Sequence, residues 1–500
     1  MKIRNILLFI LILSIGISLR IYNLDKYDFW HDEIFDILIA KGIFHWTATD
    51  YGYLIDPPLF YLLLGFWLRL GNSEFVLRLL PSIFGVLCII AIYFVGKKLF
   101  DKKVGLIASF ILAISPFHIY YSQELRTYTL VTFLALMMVY YVIRSLRENK
   151  IIYWAGFVIF ATLIIYSHNI AIFLIFAVNL YFFLFYKRHK VFLRRWLISQ
   201  LFIFLFYLPW IKIVFEQISH VKASGCFQWL PNDHLISFIQ TFTIFNLGYN
   251  AKKNLLFPTI LPFSILFLLA IWDERNKEKI CLLLCWLFIP VILVMVFSSF
   301  VFPAYFFRPL IYVSIAYYII IAYGLSRLKP NKAYLYFLLF FSILSGFLLK
   351  NHYQNVFALP EIPYHVAVHP RKENRLGSDY ISQNYQKGDI VGHTSLATCL
   401  PFLYYHNNRL EEKLFVLSYQ NKFYFVYSKS EIIKQLKITG INLEGIKKSS
   451  YKRIWLVLSS WGDEVIDQLS KDIKEYLDRN YVMEECKELA GLTIYLYQIK

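Results

Sequence analysis

Two adjacent carboxylates, Asp32 and Glu33, stand inside the aromatic run Phe29-Trp30-His31-Asp32-Glu33-Ile34-Phe35. A carboxylate placed there can accept the proton of an attacking hydroxyl or amine as a new bond forms. Charge is costly to desolvate beside a bilayer, so an acidic pair at the edge of a hydrophobic segment suggests a polar site. A structural account competes with this. Acids also favour the first turn of a helix, here one beginning at Ile34, and Trp30 and Phe35 suit a plain aromatic belt equally well.

Three further groups bear chemistry. In Tyr120-Tyr121-Ser122-Gln123-Glu124-Leu125-Arg126-Thr127-Tyr128, Ser122 could cap the following helix and Glu124 would then favour its dipole. That account leaves Arg126 unexplained, a cation where the dipole disfavours it. Glu124 and Tyr128 share a helical face at this spacing, so a second polar cluster is the alternative. Arg308 precedes Pro309 at the start of an apolar segment, where forked donors beside a helix N-terminus suit an anion such as phosphate. It equally suits an arginine snorkelling to headgroups. His168, in Tyr166-Ser167-His168-Asn169, either orients a substrate or is a hydrogen-bonded turn residue. No co-ligands stand at readable spacing, so no metal site is expected. No Gly-rich phosphate cradle is present either, so no nucleotide cofactor is expected.

The elements that position these groups are membrane helices. The chain is 58% hydrophobic and 19% aromatic over 500 residues, above what a soluble domain carries. Apolar segments near 5–20, 77–95, 104–118, 128–144, 151–167, 170–186, 196–213, 256–271, 280–299, 309–325 and 333–349 predict about eleven spans. The first follows Lys2 and Arg4 without a convincing cleavage site, so it is expected to be an uncleaved span rather than a signal peptide. Leu59–Leu70 is too short to span and reads as an interfacial helix. Most of the formal charge of +18 lies between alternate spans, at the N-terminus and around 97–103, 144–150, 187–195 and 327–332. This pattern fits positive-inside loops, not nucleic-acid binding. The acidic first loop, 21–58, then lies outside the cytoplasm. With it lie the Tyr120–Tyr128 turn, the Ser167–Asn169 turn, the long 215–254 loop, the 301–308 turn and the tail beyond Lys350. Residues 1–349 are read as the membrane domain and 350–500 as a small α/β domain. The domain's strands are expected near 389–392, 414–417, 453–458 and 492–497, with a helix at 463–479. Six scattered cysteines make no disulfide framework, although a Cys399–Cys486 bridge is conceivable.

Several of these motifs resemble a known family. Phe29-Trp30-His31-Asp32-Glu33, Asp56-Pro57-Pro58-Leu59-Phe60-Tyr61, Ser73-Glu74-Phe75-Val76-Leu77-Arg78-Leu79-Leu80-Pro81 and, most specifically, Ser115-Pro116-Phe117-His118-Ile119-Tyr120-Tyr121-Ser122-Gln123-Glu124-Leu125-Arg126-Thr127-Tyr128 are similar to those of the family 39 type glycosyltransferases. That group has the GT-C fold and includes protein O-mannosyltransferases and the aminoarabinose transferase of lipid A. The resemblance implies an enzyme that moves a sugar from a polyprenyl-phosphate carrier to a lipid, glycan or protein acceptor on the outer face of the membrane, with inversion. It maps the family's first-loop acids onto Asp32 and Glu33, with Asp32 as base, and its second-loop acid onto Glu124. The arginine before a late span maps onto Arg308, where Pro309 replaces the family's Tyr. Arg126, Tyr128 and His168 join the expected substrate and phosphate contacts. The rival readings are a flippase of lipid-linked saccharides, which would be expected to place ionisable groups at mid-membrane, and a noncatalytic envelope assembly protein.

Overall fold

A computed structural model describes residues 3–42, 56–224, 230, 234–357, 368, 371–406, 410–415, 438–459 and 464–499. Every one of the eleven expected spans is helical. Among the described residues, seven helices are long and apolar enough to cross a membrane, including Ile3–Ile21, Glu74–Leu99, Tyr128–Glu148, Arg308–Ser326 and Ala333–Tyr353. Lys102–Ile114 and Pro116–Ser122 form one bent pair, with an angle of 62°. Ile151–Ile165, Asn169–Leu184 and Pro258–Ile271 are shorter apolar helices.

The bend has a local cause. Pro116 lacks an N–H and ends the first helix, and Ser115 caps the second by accepting from His118 N at 3.4 Å. The carbonyls left over at the end of the first helix are taken up by buried Arg20. Its guanidinium donates to Leu112 O at 3.1 Å, Ala113 O at 3.0 Å and Ser122 Oγ at 3.1 Å. Sequence position allows Ser122 to cap the next span. Instead it ends the Pro116–Ser122 helix, and its hydroxyl donates back to His118 O.

Successive spans alternate in direction, so their basic ends collect together. Lys98 pairs with Glu148 at 2.8 Å, Lys103 donates to Ser326 O at 3.1 Å, and Arg195 donates to Asn149 Oδ1 at 2.9 Å. The other ends of the same helices carry Glu74, Ser122, Tyr128 and Arg308. The segment read as a loop at 215–254 is largely helical: Leu193–Ser224 continues well past 215, and His234–Leu247 follows. Its apolar residues continue the helical period, which the polar residues between them obscured. Residues 43–55, the rest of the expected first loop, and part of the 225–233 stretch lie outside the described residues.

The tail carries a six-stranded sheet of order β3-β2-β1-β4-β6-β5. The strands are β1 Asp389–His393, β2 Glu412–Phe415, β3 Thr439–Ile441, β4 Arg453–Leu458, β5 Val482–Leu489 and β6 Leu492–Gln498. β1, β2, β3 and β4 are parallel, whereas β6 is antiparallel to β4 and β5. β3 and β5 were not foreseen. β5 is an exposed edge with charged residues on both faces, so it carries no apolar face to read. Cys399 and Cys486 are both free thiols, so the conceivable bridge does not form: Cys399 is buried in the helix Leu396–His406, and Cys486 is exposed on β5.

The tail grips the first loop directly. Tyr405 Oη accepts from Phe29 N and donates to Glu74 Oε1, each at 2.8 Å. Asn374 Nδ2 donates to Phe29 O at 3.1 Å, and Arg375 N donates to Asp28 Oδ2 at 2.7 Å.

Candidate active site

The acidic pair sits in the first turn of the helix His31–Ala40, not ahead of a helix beginning at Ile34. Its two members differ in environment. Glu33 is wholly buried. Arg78 grips both its oxygens, with Nε to Oε1 at 2.8 Å and Nη2 to Oε2 at 2.6 Å. Leu125 N donates to Oε1 at 2.8 Å, and Trp30 N donates to Oε2 at 3.3 Å. Burial alone would raise this carboxyl, but Arg78 outweighs it and holds Glu33 below the usual range. With every lone-pair direction engaged, Glu33 ties the first loop to the Glu124 segment.

Asp32, in contrast, has a side chain 21% exposed. Its Oδ1 lies 2.9 Å from His31 Nε2 and its Oδ2 lies 3.4 Å from Arg308 Nη1. Burial pushes this carboxyl up, but His31, Arg126 and Arg308 prevail and hold it well below the ordinary carboxylate range. Arg308 thus begins a helical segment as expected. Its guanidinium also stacks over Phe306, with the ring centroid at 4.3 Å.

Arg126 is committed differently from the sequence expectation of a phosphate contact. It bonds Asp36 Oδ1 at 2.7 Å and Asp56 Oδ2 at 3.1 Å, and its Nη1 reaches Asp32 O at 3.5 Å. His168 joins the same group. Its Nδ1 accepts from Ile170 N at 3.2 Å, which leaves the proton on Nε2, 3.5 Å from Asp56 Oδ1. Burial lowers the affinity of His168 for a second proton, with Asp56 opposing. The Tyr128 ring lies 5.9 Å from the Arg126 guanidinium and 6.4 Å from the His168 ring.

Glu124 is 3% exposed, and its Oε2 has no hydrogen-bond partner. Burial drives it up to about 7, against the pull of Arg308 and with Glu33 adding to the rise. Arg126 Nε and Arg308 Nε are likewise buried without partners. Three orphaned polar atoms of both signs in one cluster are expensive unless a ligand completes them.

All seven residues expected from sequence therefore meet. Asp36, Asp56, Arg78 and His31 were not assigned to the site. Asp36 falls one helical turn after Asp32 and was findable by spacing. Asp56 opens the Asp-Pro-Pro motif already singled out. No local signal ties Arg78 to Glu33, because their contact spans 45 positions.

With this geometry in view, the chain can be set beside known proteins. The profile of the family described as dolichyl-phosphate-mannose-protein mannosyltransferase matches residues 56–212. Among solved structures, ArnT from Cupriavidus metallidurans superposes with a TM-score of 0.59 in its apo state and 0.60 when bound to undecaprenyl phosphate. Each match covers 97% of both chains at 13% identity. The chain has the GT-C fold. The oligosaccharyltransferase of Archaeoglobus fulgidus gives a TM-score of 0.52, covering 92% of this chain and 70% of that one. By sequence, the dolichyl-phosphooligosaccharide-protein glycotransferase 1 of Pyrococcus furiosus is 28% identical over 183 residues. That alignment takes in 32% of this chain but only 19% of the relative's length. The helices and this fold make the chain a multi-pass membrane protein.

Proposed function

We propose that this protein is a membrane glycosyltransferase that moves a sugar from a polyprenyl-phosphate carrier to an acceptor at the extracytoplasmic face. The observation that carries the reading is the convergence of Asp32, Glu124 and Arg308, with unpartnered buried atoms on the last two. The ligands named for the structural relatives, undecaprenyl phosphate for ArnT above all, support a lipid-linked donor.

The donor phosphate binds Arg308, where Nε and the Nη groups offer a fork that fits two phosphate oxygens. Asp32 is then displaced from Arg308. Loss of that contact raises its carboxyl from its depressed value and makes it a better base. Asp32 takes the proton of the acceptor hydroxyl or amine. The acceptor atom bonds to the anomeric carbon as the carbon–oxygen bond to phosphate breaks, with inversion. The polyprenyl phosphate leaves as an anion on Arg308, which needs charge more than a proton. Arg126, neutralised by Asp36 and Asp56, positions the helix that carries Asp32, and His168 orients Asp56. Glu33 and Arg78 fix the loop. No cofactor takes part in this scheme. Glu124 is a second base on one specific ground: its ionisation near neutrality suits proton transfer.

Reconstituted protein supplied with a labelled polyprenyl-phosphate sugar is expected to yield labelled acceptor. Movement of the labelled lipid across the bilayer with no transfer would overturn the reading in favour of a flippase. Arg308→Lys keeps the charge and loses the fork. It is expected to lower kcat/KM for the donor roughly 10-fold or more, since a hydrogen bond to a charged group is worth about 1.5–3 kcal/mol.

Glu124 also leaves a signature in stability. Its folded ionisation lies near 7, above the 4.5 of an unperturbed glutamate. Between those values the folded chain keeps a proton that the unfolded chain releases, so stability falls as pH rises. Thermal unfolding is expected to show the wild type losing Tm relative to Glu124→Gln from about pH 4.5 to 7 and running parallel to it above. Parallel curves throughout would show that Glu124 ionises normally.

A further inference from the structure

A second cluster lies in the C-terminal sheet, away from the site described above. His393 ends β1, Glu412 begins β2, and Cys399 lies on the helix Leu396–His406 between them. One donor atom from each of the three lies within 4.8 Å of the other two, and all three residues are buried. His393 Nε2 and Glu412 Oε2 stand 3.5 Å apart, and neither makes a hydrogen bond. Their side chains are 0% and 1% exposed, so bulk solvent does not reach them. These two buried polar atoms face only each other beside a thiol, at a separation too long for a good hydrogen bond, and ask for a further partner.

We propose that this cluster binds a zinc ion through His393 Nε2, Cys399 Sγ and Glu412 Oε2. The donor set of imidazole, thiolate and carboxylate is that of a borderline-soft ion of tetrahedral habit. The separation of Nε2 and Oε2 is already close to the ~3.4 Å edge of a tetrahedron with bonds of ~2.1 Å. Charge also balances: one thiolate and one carboxylate neutralise a divalent ion. Binding releases the proton of the Cys399 thiol to solvent as the metal–sulfur bond forms. The surrounding residues orient the ligands as outer partners of a metal do. Thr398 Oγ1 lies 3.0 Å from His393 Nδ1, and His406 Nδ1 lies 3.1 Å from Glu412 Oε1. The spacing of 393, 399 and 412 matches no familiar ligand signature, so sequence reading expected no metal. The ion would tie two strands to the helix that carries Tyr405, and through Tyr405 to Phe29 and Glu74. Three protein ligands leave the fourth tetrahedral position to a water.

The test is metal content and spectroscopy on the full chain, purified in detergent through a tag that binds no metal. One equivalent of zinc is expected, and it should be absent from Cys399→Ser and His393→Gln. Exchange of cobalt for zinc should give a thiolate-to-cobalt charge-transfer band in the wild type that Cys399→Ser lacks. Wild-type protein that holds no zinc and shows no such band after cobalt loading overturns the proposal, whether or not the variants fold. A band retained in Cys399→Ser overturns it as well.

Discussion

Replacing Asp32 with Asn is expected to lower sugar transfer about 10²–10⁴-fold, the usual worth of a positioned general base. The substitution keeps the side chain's volume and its place in the first turn of the helix His31–Ala40. It removes the charge that faces His31 and Arg308. Because Arg308 then has no carboxylate to release when the donor phosphate arrives, donor affinity is expected to hold or improve while kcat collapses. Single-turnover measurement with labelled donor separates these effects. Undiminished kcat would remove Asp32 as base and leave Glu124 in its place. Glu124→Gln assayed alongside decides between them, since the true base is the one whose loss also abolishes the rise of rate with pH on the acid limb of the pH–rate profile.

Arg78→Met should cost about 3–5 kcal/mol of stability, because it leaves the buried Glu33 carboxylate without its bidentate partner. The same change strips three backbone carbonyls of a donor: Leu24 O at 3.2 Å, Tyr27 O at 2.6 Å and Asp28 O at 3.0 Å. Thermal unfolding in detergent should show a large fall in Tm. Adding Glu33→Gln is expected to recover part of that loss, since no buried charge then remains unpaired. A double variant no better than the single one would mean that the carbonyls, not the ion pair, carry the effect.

The helices were legible because each needs only its own hydrophobicity to declare itself, and alternating basic ends then set their direction. The clustering of Asp32, Glu124, His168 and Arg308 followed from that alternation without any knowledge of packing. What the sequence could not convey were pairings across long separations. Glu33 and Asp32 are neighbours of the same chemical kind, yet Arg78 locks one and leaves the other partly exposed. Arg126 looked like a free cation until Asp36 and Asp56 closed on it. The bend at Ser115-Pro116 was visible as a proline, but its support by Arg20 from another helix was not. The edge strand β5 failed for a different reason: strand patterning shows only where one face is dry.

The bonds from Asn374, Arg375 and Tyr405 to Asp28, Phe29 and Glu74 bear on any attempt to exchange parts between relatives. A chimera that grafts another protein's tail onto these helices would inherit a foreign lock for the segment that carries Asp32, unless the complementary positions at 28, 29 and 74 travel with it. Compatibility at that seam, rather than stable folding of either half, should decide which hybrids work.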